Sequence, residues 1–424
     1  MFLISDLRKK LFFTLGVLIV ERLGTFIPIA GINVAKLSAF LEQSKNLGNI
    51  FGYIDTLSGG ALGNCTLFAL GIGPYITASI AMQILGMSIP SLEALMKEGE
   101  YGRKVINQYT RYLALGLSIF WSFSYSSLLE YQGLVLSPGW GFRISFILAL
   151  SAGAMFIMWL GEQISLFGLG NGASVIIFAG IVARFPSYVF KTVLSVQTGY
   201  LSSIVAIFIA VIFLVIIGCI VFLEKGERKI PVQYARRIVG RRVYGGQSTF
   251  IPFKINTVGV MPVIFASTFL QFPTFLIGAL ANRVPSLGFL TEMLSIKGAL
   301  FNVLEFALII FFTYFYTAVV FNPDELADNL RKSGGFIPGV RPGKKTAQFF
   351  DYILNRIGLV GAVYLAILAI IPNILISLFD IPFYMGGTAL LIVVGVALET
   401  SSQVESYLIE HNYEGFLSTG KMRR

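Results

Sequence analysis

A single histidine and two cysteines among 424 residues leave this chain nearly without the side chains that bind transition metals or attack carbonyl carbons. The histidine, His411, lies in the polar C-terminal tail, where no metal set or catalytic dyad can form around it. Cys65 and Cys219 sit in or beside apolar runs far apart in the chain. They supply neither a disulfide framework nor a ligand spacing, and read as small buried hydrophobes. No phosphate-cradling Gly loop, zincin helix or nucleophile elbow occurs. Charge is scarce too, at 13% of residues. These gaps remove the common enzymes and metalloproteins, and no cofactor or metal is expected.

What the chain has instead is apolar length. Hydrophobic residues make up 55% of it, and the mean hydropathy is +0.78. A bilayer core needs about 20 apolar residues per helix. Runs of that order lie near 11–30, 65–87, 109–129, 144–163, 172–190, 201–223, 257–281, 299–321, 353–377 and 383–407. Strands of a membrane barrel would be half as long and alternate in polarity, which these do not. The expected class is an all-α polytopic membrane protein with ten transmembrane helices. The first run follows Arg8, Lys9 and Lys10 but carries Glu21 and Arg22 in its middle and has no small-x-small cleavage site, so it reads as a retained span and not a signal peptide.

With the N-terminus inside, 24 of the 32 Lys and Arg residues fall on inner segments, seven on outer ones, and Arg22 within a span. The positive-inside rule then puts both termini in the cytoplasm, together with two long basic loops, 224–256 and 322–356. Topology alone explains most of these charges. It does not explain their concentration in two Gly-punctuated protrusions, which suit RNA phosphates or acidic protein surfaces.

The ten runs divide five and five, into 1–190 and 191–407, with a tail at 408–424; such halves are common in transporters and channels built from structural repeats. Between the first two spans, a segment ending at 51–63 is too Gly-rich and short to cross a bilayer. It is either a short half-helix folded back into the bundle or an exterior loop with some buried side chains. Gly59, Gly60, Gly63, Gly71, Gly73 and Pro74 cluster there, giving either mobility or close packing. Gln83 and Asn171 are amides at or within spans and need partners in lipid. Arg22 is a costly charge in mid-span. Adjacent helix residues do not face one another, so Glu21 is not expected to be its simple partner.

Several long motifs fall in order along the whole chain. They are Ser58-Gly-Gly-Ala-Leu62 leading into Phe68-Ala-Leu-Gly-Ile-Gly-Pro-Tyr-Ile-Thr-Ala-Ser79, and Met158-Trp-Leu-Gly-Glu-Gln-Ile164 with Gly168-Leu-Gly-Asn-Gly172. Further along come Gly240-Arg-Arg-Val-Tyr244 with Gln247-Ser-Thr249, Phe321-Asn-Pro-Asp-Glu-Leu-Ala-Asp-Asn-Leu330 and Gly339-Val-Arg-Pro-Gly343. In these the chain resembles the SecY family, the protein-conducting channels of the bacterial plasma (inner) membrane. The resemblance implies two pseudo-symmetric five-helix halves around a central pore closed by a short plug helix. It implies a pore ring of Ile72, Ile76, Ile177, Ile264 and Ile392; an apolar ring can exclude water and ions by dewetting yet yield to a peptide. Ala173 departs from the family, whose counterpart is often larger, so the ring would be less complete on that side.

The plug, at about 50–64, falls on Asp55, Leu57, Ser58, Gly59, Gly60, Ala61 and Leu62. Gln83 and Asn171 match a polar cluster at a lateral gate between spans two and three and spans seven and eight. Arg241, Arg242 and Arg341 match positions linked to docking of the ribosome and the motor ATPase. The partners implied are the small membrane subunits SecE and SecG, the SecA ATPase, the ribosome, signal peptides and nascent polypeptides, the lipid bilayer, and more distantly YidC and SecDF.

Three functions compete on the residues alone. A protein-conducting channel, not itself an enzyme, needs only a pore and partners. A secondary transporter of a small solute would share ten spans and two halves, but expects ionisable groups at mid-membrane, and these are few: Glu21, Arg22 and Glu305. An intramembrane enzyme lacks a convergent nucleophile or metal set.

Overall fold

The computed structural model describes residues 5–33, 36–37, 55, 58–234, 237–239, 242–244, 248–256, 258–281, 289, 293–294, 298–379 and 386–421. A helix lies on every one of the ten apolar runs. These are α1 (Ser5–Gly24), α2 (Gly73–Ser88), α4 (Glu100–Tyr131), α5 (Trp140–Phe167), α6 (Gly172–Gln197), α7 (Ser203–Lys225), α8 (Met261–Ala281), α9 (Ala299–Val320), α11 (Lys344–Phe379) and α12 (Gly387–Lys421). Two shorter helices are α3 (Pro90–Lys97) and α10 (Pro323–Lys332). Among the described residues seven helices are long and apolar enough to cross a membrane, or eight if the bent pair of α2 and α3 counts as one. That is short of ten: the 20-residue α1 is loaded with charge at both ends, and the described apolar stretch of α8, Met261–Leu270, is shorter than a span.

Local chemistry sets the breaks. Pro90 forces Ile89 to extended backbone (ψ 115°), and the chain bends by 106° between α2 and α3. Asn322 caps α10 by accepting from the N–H groups of Asp324 and Glu325. Pro323 opens that helix, acids fill its first turn, and Arg331 and Lys332 close it, all matched to the helix dipole. The second apolar run begins at 65, yet helix begins only at Gly73: Cys65 and Gly71 adopt positive φ (46° and 54°), which winds 58–72 into turns.

The basic loops are not irregular, and the all-α expectation needs correcting on this point. β1 (Glu227–Tyr234) pairs antiparallel with β4 (Ser248–Lys254), in register from Glu227↔Lys254 to Gln233↔Ser248. β2 (Arg237–Val239) and β3 (Arg242–Tyr244) form a small hairpin at the tip. The second loop adds β5 (Gly335–Phe336) to the free edge of β1. Ile230 and Val232, two apart on β1, point to one face and join Leu330, Phe350 and Ile353 in a common core, with the rings of Phe253 and Phe350 5.6 Å apart. Hydropathy could not register this platform because its strands are short and its partners lie about 100 residues apart.

In the bundle α9 packs along α11, α4 along α2 and α5, and α2 touches α8 across the middle. The largest buried cluster runs from Ile72 and Ile157 through Ile264 and Phe312 to Leu365 and Ile392, so both sequence halves share it. α7 presents bare apolar side chains outward, such as Ile204 and Phe222, as a lipid-facing helix does. α12 continues helical to Lys421, so the expected tail at 408 starts inside a helix.

Candidate functional site: a central constriction and its plug

Ile72, Ile76, Ile177, Ile264 and Ile392 all line one small cavity of about 40 Å³, together with Leu70, Ser58, Ser267, Thr268, Gly71 and Gly73. Four helices deliver them. Ile72 and Ile76 sit at the start of α2 one turn apart; Ile177, Ile264 and Ile392 come from within the first two turns of α6, α8 and α12. All five are buried, Ile264 at 2% exposure and Ile392 at 0%. The hydroxyls of Ser267 and Thr268 both donate back to the Ile264 carbonyl, at 2.9 and 2.8 Å, so they do not wet the cavity. Ala173 does not line this cavity. One turn before Ile177, it faces the larger vestibule, and its small size widens that space instead of opening the ring.

The segment expected as the plug lies against this constriction through Ser58. Asp55 is helical; 58–63 wind as turns through Gly59 (φ 65°) and Gly60 (φ 97°). The two successive left-handed glycines keep helix from running on past 58. Leu57 lies outside the described residues. Ala61 and Leu62 are fully buried, and Leu62 is anchored by its carbonyl, which accepts from Tyr125 Oη at 3.0 Å.

Two arginines hold the segment. Arg22 Nη1 donates to the Gly59 carbonyl at 3.3 Å, and a Cβ on Gly59 would lie 2.4 Å from that guanidinium. Arg184, on α6, pairs with the Asp55 carboxylate, whose Oδ1 also accepts from the Gly63 N–H at 2.7 Å. Glu21 is Arg22's partner after all: its carboxylate takes Nε at 2.9 Å and Nη2 at 3.1 Å. The expectation failed because α1 ends at Gly24. Arg22 is therefore in the last turn and not in mid-span, and both long side chains curl off the helix end. Buried at 3% exposure, Glu21 gains more from pairing with a neighbour than from remaining alone.

A vestibule of about 390 Å³ opens on one side of the ring, sharing Ile76, Ile177 and Ile264 with it. Gln83 and Asn171, the two expected amides, both line it. Asn171 spends its side-chain oxygen capping α6, on the N–H groups of Ala173 and Ser174. Gln83 Nε2 donates to Ser79 Oγ at 3.3 Å, while its Oε1 is buried without a partner. Sequence reasoning missed the bidentate Arg111–Glu162 pair on the same wall, 2.9 Å at both contacts. Its signal was two opposite charges flanking apolar runs on successive helices.

A model of the family described as SecY matches residues 66–401 of this chain. Over 98% of its length the chain is 45% identical to the protein translocase subunit SecY of Aquifex aeolicus, of which it covers 98%. Against the Escherichia coli K12 protein translocase subunit SecY it is 44% identical, over 99% of this chain and 96% of that one. The chain belongs to the SecY family. Its fold matches that of a solved protein-conducting channel with a TM-score of 0.70 at 21% identity, covering 95% of this chain and 93% of the other. Sec61 in the canine ribosome-channel complex matches at 0.66 and 20% identity, covering 95% and 92%. As a SecY-family member the chain is a multi-span membrane protein and a channel, not an enzyme.

Of the three arginines matched to SecY docking positions, Arg242 and Arg341 fall on described residues of the two basic loops. Arg341 is exposed in the turn before α11, its carbonyl accepting from Thr346 Oγ1 at 3.0 Å. Arg242 has its backbone in register with Val239 in the tip hairpin, and Arg241 lies outside the described residues.

Proposed function

We infer that the chain forms the channel of a bacterial protein translocase. Unfolded secretory polypeptides cross the plasma membrane through the isoleucine constriction, and membrane helices leave sideways through a seam between spans two and three and spans seven and eight. In this reading the ten apolar helices all cross, in halves 1–190 and 191–407, with both termini cytoplasmic. The turn segment 58–63, with Asp55, is the plug, and Gln83 with Asn171 belongs to the polar cluster of the seam. The basic platform, with Arg241, Arg242 and Arg341, docks the ribosome and the SecA ATPase, which supply the driving force. SecE and SecG complete the membrane complex, with YidC and SecDF as further partners.

The observation that carries this reading is the convergence of five isoleucines from four helices of both halves on one small cavity beneath the plug segment. Such a ring has no chemical preference, which suits a pore that must pass every sequence and still dewet when empty. The contact of α2 with α8, beside the vestibule, supports a seam there. A solute transporter needs a polar site at that depth. The described residues lining the constriction offer three hydroxyls, and all of them, on Ser58, Ser267 and Thr268, donate to backbone carbonyls.

The reading is tested with photoreactive residues at positions 177, 264 and 392 and a translocating chain arrested in mid-transit. Adducts should form at all three and vanish when the arrested chain is released. Absence of an adduct at 392, which lines the constriction and not the vestibule, would place the polypeptide elsewhere.

A further inference from the structure

We propose that Asp55 and Arg184 form an electrostatic latch that sets how readily the plug segment leaves the constriction, with Arg22 as its second point of attachment. The proposal rests on the plug reading above.

One face of α6 carries the argument. Ile177 lines the constriction, Gly180 stands about one turn further outward, and Arg184 one turn beyond that. A Cβ on Gly59 would come within 2.9 Å of Gly180 Cα, so the plug backbone lies directly on the helix where the helix has no side chain. Arg184 then reaches over Gly60: a Cβ there would sit 2.6–2.8 Å from its guanidinium, which meets the Asp55 carboxylate beyond. Seal, seat and latch are therefore successive positions on a single helix.

The latch is built on both sides. Asp55 accepts from the Gly63 N–H as well as from Arg184, so its carboxylate closes the 55–63 loop onto itself and ties that loop to α6. Side-chain exposures of 15% for Asp55 and 25% for Arg184 mean that the pair is largely withdrawn from water. Separating it leaves two charges poorly solvated until the segment has moved well clear. Arg22 grips the opposite flank through the Gly59 carbonyl, and its own charge is balanced by Glu21. Each arginine thus fills the space over one of the two glycines, which explains why both positions exclude a side chain. The pair adds a cost to plug displacement that the apolar seal alone would not impose. A translocating polypeptide has to supply it, so the latch bears on how strong a signal peptide must be to open the channel.

The test uses the full chain in its complex, reconstituted into planar bilayers and proteoliposomes. Three single variants are compared: Asp55→Asn, isosteric, and Arg184→Gln, shorter but still polar, each without the charge, and as a control Arg143→Gln, which removes one charge of the Arg143–Glu130 pair between α4 and α5. Resting open probability and export of substrates with defective signals are both read. Asp55→Asn and Arg184→Gln should each raise open probability about tenfold or more, while Arg143→Gln should change it little. The charge-exchanged double variant Asp55→Arg/Arg184→Asp should return much of the closure. Leak in both single variants with no recovery in the exchange would overturn the pairing, since loss of shape and not of attraction would then be the cause. Wild-type closure in both single variants would overturn it too. Deleting 55–64 separates the two readings: a tight channel after deletion refutes the plug itself, whereas a leaky deletion beside tight Asp55→Asn and Arg184→Gln refutes only the latch.

Discussion

At the scale of single residues, the constriction depends on isoleucine for two physical reasons. β-Branching stiffens χ1, so each ring side chain holds one position. A wholly hydrocarbon lining offers water no hydrogen bond, so a narrow gap stays dry. Ser267 and Thr268 would spoil this if their hydroxyls were free, but both bond to the Ile264 carbonyl. Replacing Ile72 and Ile264 together by Ser should therefore raise resting ion conductance in planar bilayers by about tenfold, with the protein still inserted. An unchanged conductance would remove these residues from the seal. Glu21 and Arg22 illustrate a different residue-scale rule: spacing along a helix governs pairing only inside the helix, and these two lie in its final turn.

Among the elements, α6 does the most to organise the site, and the two basic loops build a separate platform. α6 starts with an Asn171 cap at the vestibule and carries Ile177, Gly180 and Arg184 in order along one face. The platform is a small unit whose core joins strands from one loop to helices of the other. Phe350, exposed at only 1%, packs on Phe253 at its centre. Its truncation, Phe350→Ala, should cost the platform about 3–5 kcal/mol. Limited proteolysis from the cytoplasmic side should then cut within 227–254 or 335–343 at far lower protease than in wild type, while the membrane helices stay protected. Wild-type resistance would mean that the two loops are not one cooperative unit.

For the whole molecule, the proposed function gives the basic charge two separable roles. Orientation rests on a summed bias of 24 inner against seven outer Lys and Arg residues, which no one or two changes can invert. Docking rests on particular guanidinium groups, where reversal turns attraction to phosphate or carboxylate into repulsion. Arg341→Glu, and Arg241→Glu with Arg242→Glu, should weaken binding of ribosomes or the ATPase by about tenfold or more. Protease mapping should return the wild-type orientation. Binding and translocation at wild-type levels in both would leave these arginines as topology signals alone.

Composition and hydropathy by themselves determined the membrane class, the positions of ten apolar helices, the charge bias and, through long ordered motifs, the family. These are sums over neighbouring residues, and a bilayer reads the chain in that local way. The tertiary structure alone decided which isoleucines meet, since four helices separated by up to 320 residues converge on one cavity. It also decided that the second apolar run starts as turns, that β5 of one loop completes the sheet of another, and that Asp55 finds Arg184 across 129 residues. No period or spacing encodes such pairs. They exist because a charge withdrawn from water must find an opposite charge wherever packing brings one.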